Sequence, residues 1–485
     1  MNNLMNNLIN NLKIVSLSLI PQLISPWIII LATISIPVNT VKANNISNSL
    51  YKISTYNQLQ KNLIHQNQLE AALEISERSR NGEFSELFTS HKSNKIAHSL
   101  SSEQIKQVAK QQNATIVQYS IINDEFVIAG KKQTQESELL IWVIKPTGEI
   151  ALHQVNLKPL WQKENTSLKD LVAESRLRMG AQNRNNKIIK ISPNKEDISI
   201  SREHLQKLHE ILIQPIADLL PNQPDKHIIF IPQGDLFFIP FAALQDKKGQ
   251  YLIEKHTIAT APSIQVLDLL DQRKQQNQGL VKDVLIVGNP IMPSKPLQPG
   301  ENPSEIFIDL PGAEQEAKQI AAIFKTQALT GKAATETAIV QRMPQAKIIH
   351  LAASNVTNKE GEFSDVLALG TSEQDDGWLT SEEIINLNLK AELVVLSGND
   401  TAIGKVTNDG VIGLSRSFFT AGATSVIGSL WSVSDRETAF LMTAFYQELS
   451  KNPDQAAALR QAMLTTMKKY PNPMYWAGFI LIGNG

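Results

Sequence analysis

Residues 347–355 read KIIHLAASN, and residues 392–400 read ELVVLSGND. Each stretch opens as a short apolar run rich in branched side chains and closes on small polar ones. That is the pattern of a strand buried on both faces which then gives way to a loop. Working outward, comparable runs stand at IIFIP (228–232), TIATAP (257–262), VLIVG (284–288), VLALG (366–370), TSVIGSLW (424–431) and WAGFILIG (476–483). Segments with helical spacing lie between or after them, at 312–325, 335–343, 380–387, 410–421, 434–450 and 453–469. Buried strands alternating with such helices predict an α/β fold whose mostly parallel sheet is covered on both faces. Sites in such sheets lie beyond the carboxyl ends of the strands, which directs attention to the residues after Ala352 and Ser397.

Upstream the texture differs. Tyr56, Leu59 and Leu63 recur at helical spacing, the polar break His65-Gln66-Asn67-Gln68 follows, and Leu69, Ala72, Leu73, Ile75 and Ser76 form a second stripe. Residues 49–89 thus predict a helical hairpin that resembles one tetratricopeptide-type pair, with no further copy at a 34-residue period. A short helix is expected at 102–113. A meander follows, with strands ATIVQYSII, EFVIAG and ELLIWVIK and a fourth at EIALHQVNL. Residues 165–222 look helical in parts, and the Asn/Lys-rich stretch 180–198 reads as an exposed loop. At the amino terminus, residues 14–38 are apolar and uncharged, followed by Val41-Lys42-Ala43. This predicts a cleaved export signal, hence a periplasmic or extracellular protein, or, uncleaved, a membrane anchor.

Bulk composition narrows the function classes. Of 485 residues, 42% are hydrophobic and 19% charged, and the formal net charge is -1. Neither a basic balance nor a basic stripe with interleaved aromatics points to nucleic acid. The chain has no cysteine, which excludes disulfides, thiolate metal sites and a thiolate nucleophile. The nine histidines are scattered without metal-ligand spacing, so neither a metal nor a cofactor is expected.

Many dispersed stretches from residue 227 onward resemble one family. They include Ile231-Pro232-Gln233-Gly234, Val287-Gly288-Asn289-Pro290, Leu310-Pro311-Gly312-Ala313-Glu314-Gln315-Glu316-Ala317 and Gly377-Trp378-Leu379-Thr380. The longest runs through Leu393-Val394-Val395-Leu396-Ser397, Asp400-Thr401, Gly413-Leu414-Ser415-Arg416 and Gly428-Ser429-Leu430-Trp431. In order, they resemble the CHAT domain, the bacterial caspase-like peptidase domain usually found after tetratricopeptide repeats. The resemblance implies a caspase-like three-layer sandwich preceded by the helical hairpin and the β-meander. The layout it implies is a signal or anchor at 1–43, the hairpin at 44–101, an α+β part at 102–222 and the caspase-like domain at 223–485.

The resemblance also implies a Cys–His pair at two neighbouring strand ends, the imidazole activating the thiol. The histidine follows a pattern like His-Leu-Ala-Thr-His-Gly, where this chain has His350-Leu351-Ala352-Ala353-Ser354-Asn355. The cysteine lies in a pattern like Leu-Ser-Ala-Cys-Asp-Thr-Gly, where this chain has Leu396-Ser397-Gly398-Asn399-Asp400-Thr401-Ala402. Ser354 and Asn399 therefore occupy the two catalytic positions, and neither can act as base or nucleophile there. Expected glycines are replaced by Asn355, Ala402 and Asn408, so the loops are expected to take another shape.

His350, Ser397 and Asp400 are the remaining pocket candidates. His350 reads as a structural histidine rather than a replacement base. Ser354 or Ser397 would need a base within reach to serve as nucleophile. Asp400 either lines the pocket, favouring a basic partner side chain, or caps the next turn. The expected function is that of a pseudo-peptidase binding a protein or peptide partner, without nucleic acid and touching membrane only through residues 14–38. The alternatives are a serine-dependent hydrolase and a tetratricopeptide-type scaffold.

Overall fold

The computed structural model describes residues 45–80, 99–128, 131–179, 195–293, 310–357, 365–399, 401–402, 404–407 and 410–485. The chain divides into two compact units, Met1–Tyr51 and Lys52–Gly485, and the second holds all the strands. Its first half comprises α1 (Asn45–His65, which begins in the first unit), α2 (Leu69–Arg78), α3 (Ser102–Gln111), β1 (Ala114–Ile128), β2 (Lys131–Ile144) and β3 (Ile150–Asn156). Next come α4 (Lys158–Lys163), α5 (Leu168–Arg178), α6 (Lys195–Leu212), β4 (His227–Ile231), α7 (Leu252–Lys255), β5 (Thr257–Thr260) and α8 (Ile264–Asn277). The chain continues through β6 (Asp283–Pro290), α9 (Pro311–Phe324), β7 (Leu329–Gly331), α10 (Glu336–Arg342) and β8 (Ala346–Ala352). Then follow β9 (Asn355–Thr357), β10 (Asp365–Ala368), β11 (Trp378–Thr380), α11 (Ser381–Asn386) and β12 (Leu393–Leu396). The last elements are β13 (Lys405–Thr407), β14 (Gly410–Ile412), α12 (Leu414–Ala421), β15 (Ser425–Ser429), α13 (Asp435–Leu449), α14 (Gln455–Lys469) and β16 (Phe479–Gly483).

Eleven strands form one sheet in the order β3-β2-β1-β4-β5-β16-β15-β12-β8-β6-β7. Its neighbours run parallel except at β3–β2, β2–β1 and β16–β15. The meander is therefore continuous with the rest, since β1 pairs in parallel with β4 from Ala114↔His227 to Gln118↔Ile231.

Alternation along the central strands explains the layers. Ile286, Ile348, Leu393, Val395 and Ile427 point into one core, which α9, α13 and α14 cover. Leu285, Val287, Ile349, Leu351, Val394, Leu396 and Val426 point into a second core, covered by α10, α11 and α12. Neighbouring residues in a strand face opposite ways, so an unbroken apolar run demands helices on both sides. Each fully buried side chain of this kind contributes about 1.5–3 kcal/mol. Close approach is part of the packing: a Cβ on Gly288 would lie 2.3 Å from the Ala313 carbonyl oxygen, so α9 sits directly on β6.

Several local expectations are corrected. The first two expected strands of the meander are one, β1, with a register shift between Ile122 and Asn123. Asn123, Asp124 and Glu125 do not turn; they pair with Glu136, Gln135 and Thr134, and Asp124 is held by Lys158 at 2.8 Å and Lys61 at 3.5 Å. The 366–370 run gives β10 of a separate three-stranded sheet, β11-β10-β9. The helix expected from 410 starts at Leu414, because Gly410–Ile412 pairs with Lys405–Thr407 as a hairpin. The expected loop at 180–198 overlaps α6 from Lys195; its residues 180–194 lie outside the described residues, as do 1–44, 81–98, Asp400 and Asn408. The break between α1 and α2 is made by Asn67 at φ 59°, a left-handed position that asparagine tolerates. No helix among the described residues is long and apolar enough to cross a membrane.

Candidate functional site

The parallel register from Leu393↔Ile348 to Leu396↔Leu351 sets the carboxyl ends of β8 and β12 side by side. The Ser397 amide extends the ladder to the Leu351 carbonyl at 2.9 Å. One residue further the backbones close in, for a Cβ on Gly398 would stand 2.4 Å from the Ala353 carbonyl oxygen. Glycine is required here, where the CHAT pattern has alanine. Ser354 and Asn399 thus follow two adjoining strand ends.

Among the described residues both are hydrogen-bonded to backbone groups. Ser354 is half-buried, and its carbonyl accepts the Ala368 amide at 2.9 Å. Asn355 opens β9 opposite Leu367, an extended conformation that needs no glycine. Asn399 is exposed, and its Oδ1 accepts the Val433 amide at 3.0 Å, tying the loop after β12 to the loop after β15. Beneath it lies a buried network. Ser429 Oγ donates to the Gly398 carbonyl at 2.6 Å, and Thr401 Oγ1 donates to the Leu396 carbonyl at 2.9 Å. The Thr401 amide donates to Ser429 Oγ at 3.1 Å, and the Ser429 amide to Thr401 Oγ1 at 2.9 Å. The loop that would present a nucleophile is therefore stapled to the end of β15 by side chains and backbone together.

Among the described residues Ser397 Oγ is buried without a hydrogen-bond partner, and no histidine or carboxylate is bonded to Ser354 or Ser397. His350 stands in register with Val395 and Ile286 and faces the first core, fully buried. Its Nδ1 lies 3.2 Å from the Tyr446 hydroxyl, with the rings edge to face at 5.4 Å. Its Nε2 lies 2.8 Å from Glu316 Oε1, off the line of a directed hydrogen bond, so the pair is an electrostatic contact. Burial, and next the Glu316 charge, push the Tyr446 phenol well above its ordinary range. A phenol that keeps its proton can donate to Nδ1. The three side chains join β8, α9 and α13.

Sequence reasoning singled out His350 but missed Glu316, Tyr446, Thr401 and Ser429 as its partners or the loop's. Glu316 did leave a signal, an acid on the same buried stripe of α9 as Ala313, Ala317 and Ile320. A fourth feature lies off the small sheet: Glu336 accepts the Gly377 amide at 3.0 Å. Its carboxyl is raised to about 7 by burial and then by Glu383, Asp375 and Asp376. Among the described residues no group of three acids or histidines is arranged to hold a metal.

The CHAT domain profile matches residues 202–484, more than half of the chain. The chain belongs to the CHAT domain family. Its sheet is mostly parallel and carries helices on both faces. Tetratricopeptide repeat protein 28 of Homo sapiens is 28% identical over 332 residues, covering 59% of this chain and 13% of that protein. The Mus musculus counterpart is 27% identical over 332 residues, with the same coverage, 59% and 13%. The chain thus spans a small part of the length of these curated relatives. Among solved structures it is similar to separase in the Saccharomyces cerevisiae separase–securin complex, with TM-score 0.47, 13% identity, and 86% of this chain and 34% of that one covered. It is also similar to the Arg-specific cysteine proteinase gingipain R, with TM-score 0.35, 10% identity, and 65% and 74% covered.

Proposed function

We propose that this CHAT domain acts by binding a protein or peptide at the carboxyl edge of its sheet and does not cleave it. One observation carries the reading: the nucleophile position holds Asn399, whose side-chain oxygen is engaged by the Val433 amide, in a chain with no cysteine. Acyl transfer needs a nucleophile and a base in hydrogen-bond reach of each other, and the side chains of Ser354 and Asn399 do not form such a pair. His350 gives the serine-hydrolase alternative no support, because both its ring nitrogens face Tyr446 and Glu316.

Incubation with peptide libraries and an acyl-phosphonate serine probe tests this. No cleavage and no labelling are expected. Turnover or labelling that disappears on Ser354→Ala or Ser397→Ala would establish the hydrolase instead.

The helices α1 and α2, and relatives that are tetratricopeptide repeat proteins, support a second reading in which the helical face recruits the partner. Substitutions in the full chain separate the two. A cut at residue 222 would divide the β1–β4 pairing. Partner retention lost on Asn399→Arg, at the edge, favours the first reading; loss on Lys61→Glu, on α1, favours the second. We also propose export directed by residues 1–43. Sequencing of the mature amino terminus tests it, with a start near residue 44 expected and an intact Met1 contrary to cleavage.

A further inference from the structure

The β1–β4 ladder stops where the sequence places Pro232. Its last pair is Gln118↔Ile231, and proline has no N–H with which to continue. Beyond that pair the two strands part, and side chains fill the break. The Arg80 guanidinium, 1% exposed, donates to the carbonyls of both Pro232 and Tyr119. Gln233 accepts the Ile121 amide at 2.6 Å. Three residues before Arg80, Glu77 is completely buried and accepts the Gln265 amide at 2.8 Å, at the start of α8. Ser76 meets Ser120 at 2.6 Å and accepts from Gln118 at 2.8 Å. Arginine and glutamate are almost never buried this deeply unless paired, and one short segment supplies both.

We propose that Glu77 and Arg80 form a buried lock that makes α2 part of the sheet, so that helix and strand ends open only together. The folding unit of this CHAT domain then begins near Leu69, far upstream of residue 202, where the family match starts. Purely apolar packing by Ala72 and Leu73 would hold the helix in place but would tolerate sliding. A guanidinium shared between two backbone carbonyls fixes a single position, because its donors are set in a rigid plane. Pulling α2 away removes those donors from the break in the ladder, and it strips the Gln265 amide of its acceptor. The helix is thereby a plug for the sheet as well as a neighbour of it.

Hydrogen exchange read by mass spectrometry on the full chain tests the lock, over residues 69–80, 119–123, 228–234 and 264–268. Arg80→Met is expected to raise exchange in all four segments together, by roughly tenfold or more. Arg80→Lys keeps the charge and loses the planar fork, so it should give an intermediate rise in the same four. Lys451→Ala, in the exposed turn after α13 where the lysine meets Glu448, should leave all four unchanged. Faster exchange confined to 69–80, or no change anywhere, would overturn the proposal by showing the helix to be an appendage. If Arg80→Met yields no soluble protein, the Lys variant is read by the same criterion.

Discussion

Ser354 follows His350 by four positions, and the two obey opposite constraints. His350 is enclosed by β8, α9 and α13 and meets a buried carboxylate and a buried phenol. Ser354, and Asn399 beside it, lie at the rim, where the contacts run through backbone groups and neutral side chains. A buried charge cannot be left without a partner, whereas a rim residue can change with little effect on folding. Residues at the rim can therefore vary where packing does not constrain them, while the groups that packing demands sit four positions away.

The comparison can be broken most decisively at its interior end. His350→Leu should destabilise the protein by about 3–5 kcal/mol in urea unfolding, because it leaves Glu316 buried alone. Glu316→Leu should cost less, since the imidazole keeps its Tyr446 partner. Equal costs below about 1 kcal/mol for both variants would contradict a charged interior.

Next in size is the staple under the rim. Thr401→Val and Ser429→Ala should each cost about 1–2 kcal/mol, and the double variant less than their sum, because they share one network. Additive losses would mean that the two side chains act separately.

Glu336 supplies a pH test outside both regions. Its folded pKa is raised from an ordinary 4.5 to about 7, by burial first and neighbouring acids second. The stability from its neutral form is fully present below pH 4.5 and is lost as pH rises through about 7. Urea midpoints measured from pH 5 to 8 should fall with a slope that Glu336→Gln flattens; an unchanged slope would dismiss the shift. Smallest is Asn399→Ala, expected to cost at most about 1 kcal/mol, since its hydrogen bond is exposed. A loss of about 3 kcal/mol or more would place Asn399 among the packing residues and erase the contrast.

Much of the sheet was legible because its signal is local. Central strands such as Leu393–Leu396 are continuous apolar runs, and an uninterrupted run means burial on both faces. Where the local signal failed, a distant group had intervened. The gap Asn123-Asp124 between two expected strands is itself strand, where the lysines at 61 and 158 hold Asp124. The start of α12 was misplaced because Gly410–Ile412 found a strand partner in Lys405–Thr407.

By itself the sequence determined the parallel sheet, its family pattern and the absence of a thiol, since residue identities need no coordinates. Tertiary structure alone decided what each remaining polar group does. Asn399 meets an amide 34 residues away, His350 a phenol 96 residues away, and Glu77 an amide 188 residues away. Periodicity reports which face a residue presents, because side-chain direction repeats along a strand or helix. It carries no information on which distant segment arrives at that face. That depends on strand order and register, which are settled only when the whole sheet closes its two cores.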